Sequence, residues 1–562
     1  MTTRNSVPRL ALASLLAAPA FSQSALWSES GAGGGDRFGL CVSSLGDVNG
    51  DGVPDVLVGA PNDDFAGSDA GAIFALSGVD GAELWRANGS SPGASMGFAC
   101  AGVGDVDGDG VGDALGGARF GDTAGPNFGE ATVVSGATGL VLYTFFGENT
   151  NGRFGEAVGP AGDVNGDGRA DLIVGARLDD TSGATTGRAR VYSGIDGAEL
   201  YSIPGDHASD FFGRAVGTAG DINGDMLDDF VVCAPGDDDA GNLSGAVRVF
   251  SGADGTELRR FDGDSSGDQL GGKVALAGDI NQDGVQDLIA GMTTSDFGGT
   301  DRGAARVYSG ADGSTLYTFA GTSLGGEFGS AVSGAGDVNG DGWPDLSVGA
   351  RLDDDMGQQV GSISLFSGFD GSLLYKAMGD GDLSQFGDTG VITPDVNGDG
   401  FADVFVGAFG DSGTGKSFML SGRDTIGDTI CGPAVVNSSG SSARVIAEGS
   451  SVATDNDLTL TVTQLPVGQF GIFVTSLEEN LILNPGGSDG HLCIASFGIG
   501  RYGSDVLQAD AAGAVELGID LSAVPLPTGT QIVMAGDTRY WQFWFRDGGS
   551  SNFSDAIAID FN

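Results

Sequence analysis

Positive charge is scarce in this sequence. Lysine and arginine number 25 against 76 aspartates and glutamates, a formal charge of −51 over 562 residues. A surface of that sign repels nucleic acid and anionic membrane and suits cations, so DNA and RNA partners are excluded. Histidine is nearly absent: His207 and His491 are the only two, which leaves histidine-based acid–base chemistry little material. No HExxH motif occurs, although carboxylate pairs remain open as catalysts. Long apolar runs are also lacking. The best candidate, "LALASLLAAPAF" behind Arg4 and Arg9, falls short of the ~20 residues a spanning helix needs. Small residues follow it at Ala20, Ser22 and Ser24, so residues 1–24 read as an export signal. The mature chain is expected to begin near Gln23 or Ala25, outside the cytoplasm, secreted or at the cell surface, with no membrane span.

Glycine, by contrast, is abundant, at 104 residues and more than twice the usual ~7%, and it is periodic. An aspartate that opens an acidic loop recurs at Asp47, Asp105, Asp163, Asp221, Asp279, Asp337 and Asp395, every 58 residues. Other landmarks keep the step: an aromatic at Trp27, Trp85, Tyr143, Tyr201, Tyr317 and Tyr375, and Phe-Gly at Phe38, Phe154, Phe212, Phe328 and Phe386. Met96 and Leu270 stand in for phenylalanine in copies two and five, and Arg259 for the aromatic in copy five. Each copy holds short apolar runs bounded by Gly, Asp or Ser with no helical period. In copy three, strands are expected near 154–161, 171–176, 187–193 and 199–202. A four-stranded antiparallel sheet cannot bury both faces alone, whereas seven packed radially can, which is a β-propeller. The last copy stops after "SFMLSG" while an orphan "ALW" at 25–27 sits in the register of its missing strand. The first strand is therefore expected to complete the seventh blade, with Trp27 beside Phe418 to Leu420, and to leave no open sheet edge.

The acidic loop reads D-x-[N/D]-x-D-G-x-x-D, with side-chain oxygens at positions 1, 3, 5 and 9 and a backbone carbonyl at 7. The seven sets are Asp47, Asn49, Asp51, Val53 and Asp55; Asp105, Asp107, Asp109, Val111 and Asp113; Asp163, Asn165, Asp167, Arg169 and Asp171; Asp221, Asn223, Asp225, Leu227 and Asp229; Asp279, Asn281, Asp283, Val285 and Asp287; Asp337, Asn339, Asp341, Trp343 and Asp345; and Asp395, Asn397, Asp399, Phe401 and Asp403. Hard oxygens at alternating positions around a glycine turn are what Ca²⁺ takes. The competing reading, that Asp, Asn and Gly simply make good turns, does not account for seven identical spacings. An EF-hand or dockerin shares the first six positions but needs a carboxylate at position 12, which here is Val58, and a helix where "DVLVGA" reads as a strand.

Phe-Gly, the loop, and Gly-Ala-Pro at Gly59 to Pro61 together resemble the FG-GAP repeat of integrin α propellers and of many exported bacterial proteins. The resemblance covers about residues 25–425. It implies seven blades, up to seven Ca²⁺ ions in the hairpins between first and second strands, and ligand recognition on surface loops. Integrin propellers fill only some blades, whereas this chain offers the ligand set in all seven. Met226 replaces the loop glycine in copy four, where a left-handed backbone is wanted, which makes that site the doubtful one. Cys233-Ala234 and Gly291-Met292 replace Gly-Ala in copies four and five, a matter of strand packing rather than of metal. Acidic stretches such as "RLDDTSG" and "RLDDDMG" read as a solvated rim in preference to a ligand surface.

The period ends after "SGRDTIGDTI". Residues 428–562 carry alternating runs such as "DLTLTVTQL" and "TRYWQFWFRD", expected as a β-sandwich. "CGPAVVNSSG", "GHLCIASFGIGRY" and "NFSDAIAIDF" resemble a C-terminal module of exported proteins from planctomycete-type bacteria. Trp541 and Trp544 fall on opposite strand faces, with core packing preferred over a sugar platform. An exported chain with five cysteines permits disulfides, and Cys431–Cys493 is expected as the pair of this module. Cys41 and Cys100 fall on equivalent inner strands one residue out of register, with an unbridged pair the preferred reading, and Cys233 is expected as a buried free thiol. The functional expectation is a monomeric calcium-dependent binding or adhesion module for an extracellular protein or polysaccharide, not an enzyme. The alternatives are a propeller enzyme, either a carboxylate-based hydrolase or lyase or quinoprotein-like, and a structural envelope component.

Overall fold

The computed structural model describes residues 25–422 apart from 356, 380, 382 and 399. Beyond them it describes 428–431, 438, 443–449, 458–463, 465–477, 479–483, 491–494, 499–503, 506–509, 513–527, 529–534, 537–547 and 550–561. The expected export signal, residues 1–24, lies outside the described residues.

Seven four-stranded antiparallel sheets carry the repeats. Blade one is Cys41–Gly46, Asp55–Ala60, Ala72–Leu76 and Glu83–Asn88, and blades two to six follow over 96–146, 157–204, 216–262, 274–320 and 328–378. In copy three the strands fall at Ala157–Gly162, Asp171–Ala176, Arg188–Tyr192 and Glu199–Pro204, within a few residues of the sequence reading. Blade seven joins Thr389–Thr393, Asp403–Ala408 and Lys416–Leu420 to Ala25–Ser30 from the start of the described chain, with Trp27 opposite Met419. The innermost strand Cys41–Gly46 packs beside blade two on one side and Thr389–Thr393 on the other, so the ring is closed.

Each second strand is buried along its whole length, as in "DVLVGA" and "DLIVGA", because it lies between two partners of its own sheet and two neighbouring blades. Fourth strands, at the rim, are half exposed. Blades approach backbone to backbone at the Gly-Ala and Phe-Gly glycines: a Cβ on Gly59 would run into the Gly97 carbonyl oxygen of the next blade. In blade four Cys233 fills this position as a buried free thiol, in line with the sequence.

The recurring aromatic has a task that the sequence did not disclose. Trp27 Nε1 donates to the Gly78 carbonyl (2.7 Å) and Trp85 Nε1 to Gly136 (2.6 Å). The hydroxyls of Tyr143, Tyr201, Tyr317 and Tyr375 donate to Ile195, Gly252, Gly368 and Ser421. Each rim strand is thereby latched to a turn of the next blade. Arg259, the exception in sequence, makes the same latch to the Ala311 carbonyl with its guanidinium.

Cys41 and Cys100 are bonded, against the expectation of an unbridged pair. Inner strands of adjacent blades belong to separate sheets, so no hydrogen-bond ladder fixes their relative register. A one-residue stagger therefore still brings the Cα atoms to 5.9 Å, within the usual range for a bridge.

The second compact unit, Arg423–Asn562, is also all β in its described residues. A six-stranded sheet contains Thr538–Asp547, Ser550–Asp560 and Phe470–Ser476, and a three-stranded sheet contains Arg444–Gly449, Leu458–Thr463 and Val515–Gly518. Leu460 and Val462 of the second share one core with Phe473, Trp541, Phe543 and Ile557 of the first, a sandwich arrangement. Trp541 is fully buried there, whereas Trp544 lies on the opposite face with Arg546 over its ring. Cys493 is disulfide-bonded; the side chain of Cys431, its expected partner, lies outside the described residues.

Candidate metal loops

Every acidic loop joins the first and second strands of its blade, in blades one to six beside a register shift such as that between Ser44 and Gly46. The shift kinks the hairpin and lets the loop fold back over its own amides. Asp47 takes the Gly50 and Gly52 N–H groups on its two oxygens at 2.7 and 2.9 Å. Asn49 Oδ1 takes Asp51 N–H and Asp51 Oδ1 takes Val53 N–H, both at 2.8 Å. This pattern holds Asp105 and Asp109, Asp163 and Asp167, Asp221 and Asp225, Asp279 and Asp283, and Asp337 and Asp341 in the same poses. In blade seven Asp395 keeps its bonds to Gly398 and Gly400, while Asp399 lies outside the described residues. The donor side chains at positions 1, 3 and 5 are exposed or half exposed and turned to one side of a rigid turn.

Position 9 is different, which the spacing alone did not reveal. Asp55, Asp113, Asp171, Asp229, Asp287, Asp345 and Asp403 are fully buried. Asp55 Oδ2 accepts from Val48 and Asn49 N–H (2.8 and 3.3 Å), and its Oδ1 accepts from Gly78 N–H at 3.0 Å, in the turn between third and fourth strands. The others repeat this, so the ninth carboxylate pins the loop to the body of the blade. Burial pushes Asp171, Asp229, Asp287 and Asp345 up to about 6, against the pull of their backbone donors. A bound cation acts in the opposite sense on a neighbouring carboxylate.

Blade two carries the densest set: Asp105, Asp107 and Asp109 bring carboxylate oxygens within 4.8 Å of one another. Arg169, at position 7 of the next loop, reaches Asp105 at 3.0 Å. Despite some desolvation, the Gly108 and Gly110 amides and this guanidinium hold Asp105 below the usual carboxylate range. Met226 of blade four adopts φ 71°, the conformation of its glycine siblings, and gives its N–H to Asp221 at 2.8 Å. The doubtful loop thus keeps the common shape, with an L side chain in the left-handed region. The residues present fit a divalent cation: oxygen donors only, converging, on a turn that does not need to reorganise.

The aspartates following the Gly-Ala strands are not all a solvated rim. The first of each group, Asp63, Asp179, Asp237 and Asp353, is buried. Asp237 pairs with Arg260 (2.7 Å) and Asp353 with Lys376 (2.6 Å), and only the later members, such as Asp64, Asp180 and Asp354, are exposed. Asp353, Asp354 and Asp355 also converge within 4.8 Å, with Lys376 bonded to Asp353 and Asp355.

The family model described as "FG-GAP repeat" matches residues 42–76, 154–192 and 328–366, in blades one, three and six. Three of the seven blades thus match the FG-GAP repeat. The propeller is also integrin-α-like. Integrin alpha-V of Gallus gallus is 31% identical over 207 residues, 34% of this chain and 19% of that protein. Integrin alpha-5 of Xenopus laevis is 30% identical over 217 residues, 36% of this chain and 20% of its own length. The chain therefore spans about a fifth of these relatives. A crystal structure of rhamnogalacturonan lyase YesW aligns with TM-score 0.36 and 16% identity over 75% of this chain and 69% of the other, too distant to bear on fold or activity. In the FG-GAP propeller the Phe-Gly and Gly-Ala glycines serve blade packing, and the acidic loops stand at the other end of the same strands. No helix of the described residues is long and apolar enough to cross a membrane.

Proposed function

We propose that this FG-GAP propeller is a secreted, calcium-loaded binding module that holds an extracellular ligand, a cell-surface or matrix protein or a polysaccharide, and performs no turnover. The observation that carries this is the convergence of the Asp105, Asp107 and Asp109 oxygens within 4.8 Å, in a loop geometry that recurs around the ring. Arg169 offsets the charge of Asp105 only in part, so the three carboxylates still favour a cation between them, and all-oxygen sites of this kind in extracellular modules hold Ca²⁺ at ~10⁻⁴ to 10⁻³ M. A carboxylate bound to Ca²⁺ is kept ionised and makes a poor proton shuttle, and the relatives' adhesion-receptor names favour binding over catalysis. The export signal read at residues 1–24 and the likeness to integrins support secretion. Two measurements test the reading. Calcium titration of the purified protein should saturate in the millimolar range with a rising melting temperature. A screen against glycoside, ester, phosphodiester and alcohol-oxidation substrates should find no turnover, and activity lost on changing one residue outside the loops would overturn it.

A further inference from the structure

The blades repeat their acidic loops but not the residues at the opposite end of the same inner strands. Directly after each Phe-Gly position, or one residue on, stand Leu40, Phe98, Glu156, Arg214, Lys273, Ser330 and Asp388, where the innermost strands converge on the ring axis. Arg119, Arg177 and Arg351, each directly after a second strand, reach the same place. Buried Glu156 pairs with Arg119 (3.5 Å), Arg153 (3.4 Å) and Arg177 (2.8 Å), and so bridges blades two and three. Asp388 of blade seven pairs with Arg351 of blade six at 3.1 Å, and Arg351 also holds Glu327 at 2.7 Å.

Arg214 and Lys273 differ from these. Among the described residues neither makes an ion pair, although Asp388 and Arg351 act on both from other blades, Glu156 acts on Arg214, and Arg214 acts on Lys273. Both are partly exposed, so a ligand can reach them. Burial pushes both below their ordinary values, with Glu156 and Asp388 pulling the other way on Arg214 and Asp388 on Lys273. Six cations (Arg119, Arg153, Arg177, Arg214, Lys273, Arg351) thus meet three carboxylates (Glu156, Glu327, Asp388) in a chain whose acids outnumber its bases 76 to 25. An unpaired cation in such a place is costly. Phe98, with the Arg119 guanidinium 3.5 Å from its ring centroid, and Phe211 supply apolar walls, which strengthen any charge contact made there.

We propose that the axial charge cluster at the Phe-Gly end of the propeller is an anion site in which Arg214 and Lys273 bind a single carboxylate presented by a protein partner. The proposal rests on the reading of the propeller as a binding module and names its ligand chemistry. Protein is favoured over acidic polysaccharide by charge. A polyuronate laid across the ring would meet the field of a chain with 51 excess negative charges, whereas one carboxylate on a neutral or basic surface meets only the local cations, within a Debye length of ~8 Å at physiological salt.

The test uses the full mature protein with calcium present and three probes: a capped Gly/Ser/Lys peptide bearing one glutamate, its glutamine counterpart, and an oligogalacturonate. The glutamate peptide should bind at least tenfold more tightly than the glutamine one, and Lys273→Met and Arg214→Gln should each abolish that preference. Lys273→Met should also raise the melting temperature of the ligand-free protein, since it removes an unpaired, partly buried charge, a gain that a purely structural lysine would not give. Equal binding of the two peptides, or a preference that survives both substitutions, overturns the site. Tighter binding of the oligogalacturonate overturns the choice of a protein carboxylate. A calcium-dependent melt on the same samples separates the two ideas: an intact calcium response without glutamate preference sinks the axial site alone, and its loss from the unmodified protein sinks the calcium-loaded module.

Discussion

The two ends of each inner strand obey different rules. At the loop end, seven copies keep aspartate at positions 1, 5 and 9 with the ninth buried, the described loops share their amide bonds, and even the methionine of blade four is held in the shared conformation. At the Phe-Gly end the glycines repeat, while the side chains beside them run from leucine to glutamate to lysine. The constant end has a task common to all blades, stiffening each hairpin and collecting cations. The variable end is where one blade can contribute what its siblings lack, and a rigid frame with changing residues is what recognition needs.

Removing the cation should break the constant end and therefore gives the largest effect. Saturation at ~100 times the dissociation constant adds about 2.7 kcal/mol per occupied site, so excess chelator should lower the melting temperature by many degrees. An unchanged melt would mean that the loops are turns and nothing more. Next is Lys376→Met at the variable end, which strands the buried Asp353 and should cost about 2 to 3 kcal/mol. Although burial would raise it, Asp353 is held below its usual value by Lys376 and the Ser323 and Ser362 hydroxyls. Its folded pKa lies under the unfolded one, so its contribution is complete above about pH 4 and is lost as pH falls through the lower folded value. Urea melts of parent and variant at pH 7 and pH 2.5 should show the gap between them shrinking in acid.

A subtler comparison lies within the constant end. Asp107→Asn gives blade two the donor set of its siblings and should weaken calcium at that loop about tenfold, roughly 1.4 kcal/mol, read as the loss of the tightest step in a calorimetric titration. If every step stays in place, carboxylate count does not rank the loops. Smallest is Met226→Gly, which relieves a left-handed L residue and should stabilise the protein by about 1 kcal/mol in a denaturant melt; no gain would show the strain already absorbed by the exposed turn.

The ring was legible because its period is exact in sequence and its last strand is visibly missing, so blade count and the pairing of Trp27 beside Met419 follow from counting. The loop donors at positions 1, 3 and 5 were legible because they act within a few residues of one another. What escaped depends on partners far along the chain. Asp55 looks like a fourth equivalent donor until Gly78, in a turn two strands later, is seen to take its second oxygen. The aromatic landmarks look like core residues until their polar atoms are found on the following blade. Cys41 and Cys100 look misaligned because sequence alone implies a common register, whereas strands in separate sheets slide freely. The axial cations carried no motif, since they are spread over five blades.

Blade seven is built from both ends of the described propeller chain, and this has a mechanical side. Ala25 stands opposite Leu420 and Ser30 opposite Lys416, so the residues leading out of the ring in both directions leave from the same edge of a single short ladder. Tension pulled through both ends would load the bonds of that ladder one after another, peeling it, and would not share the force among them as shear. Resistance then falls to the Trp27 latch on Gly78, which ties the peeling strand sideways to blade one. A propeller tethered through one end only never feels this load, whereas one strung between two anchors opens first at the clasp, and Trp27→Phe should lower the opening force measured by optical tweezers.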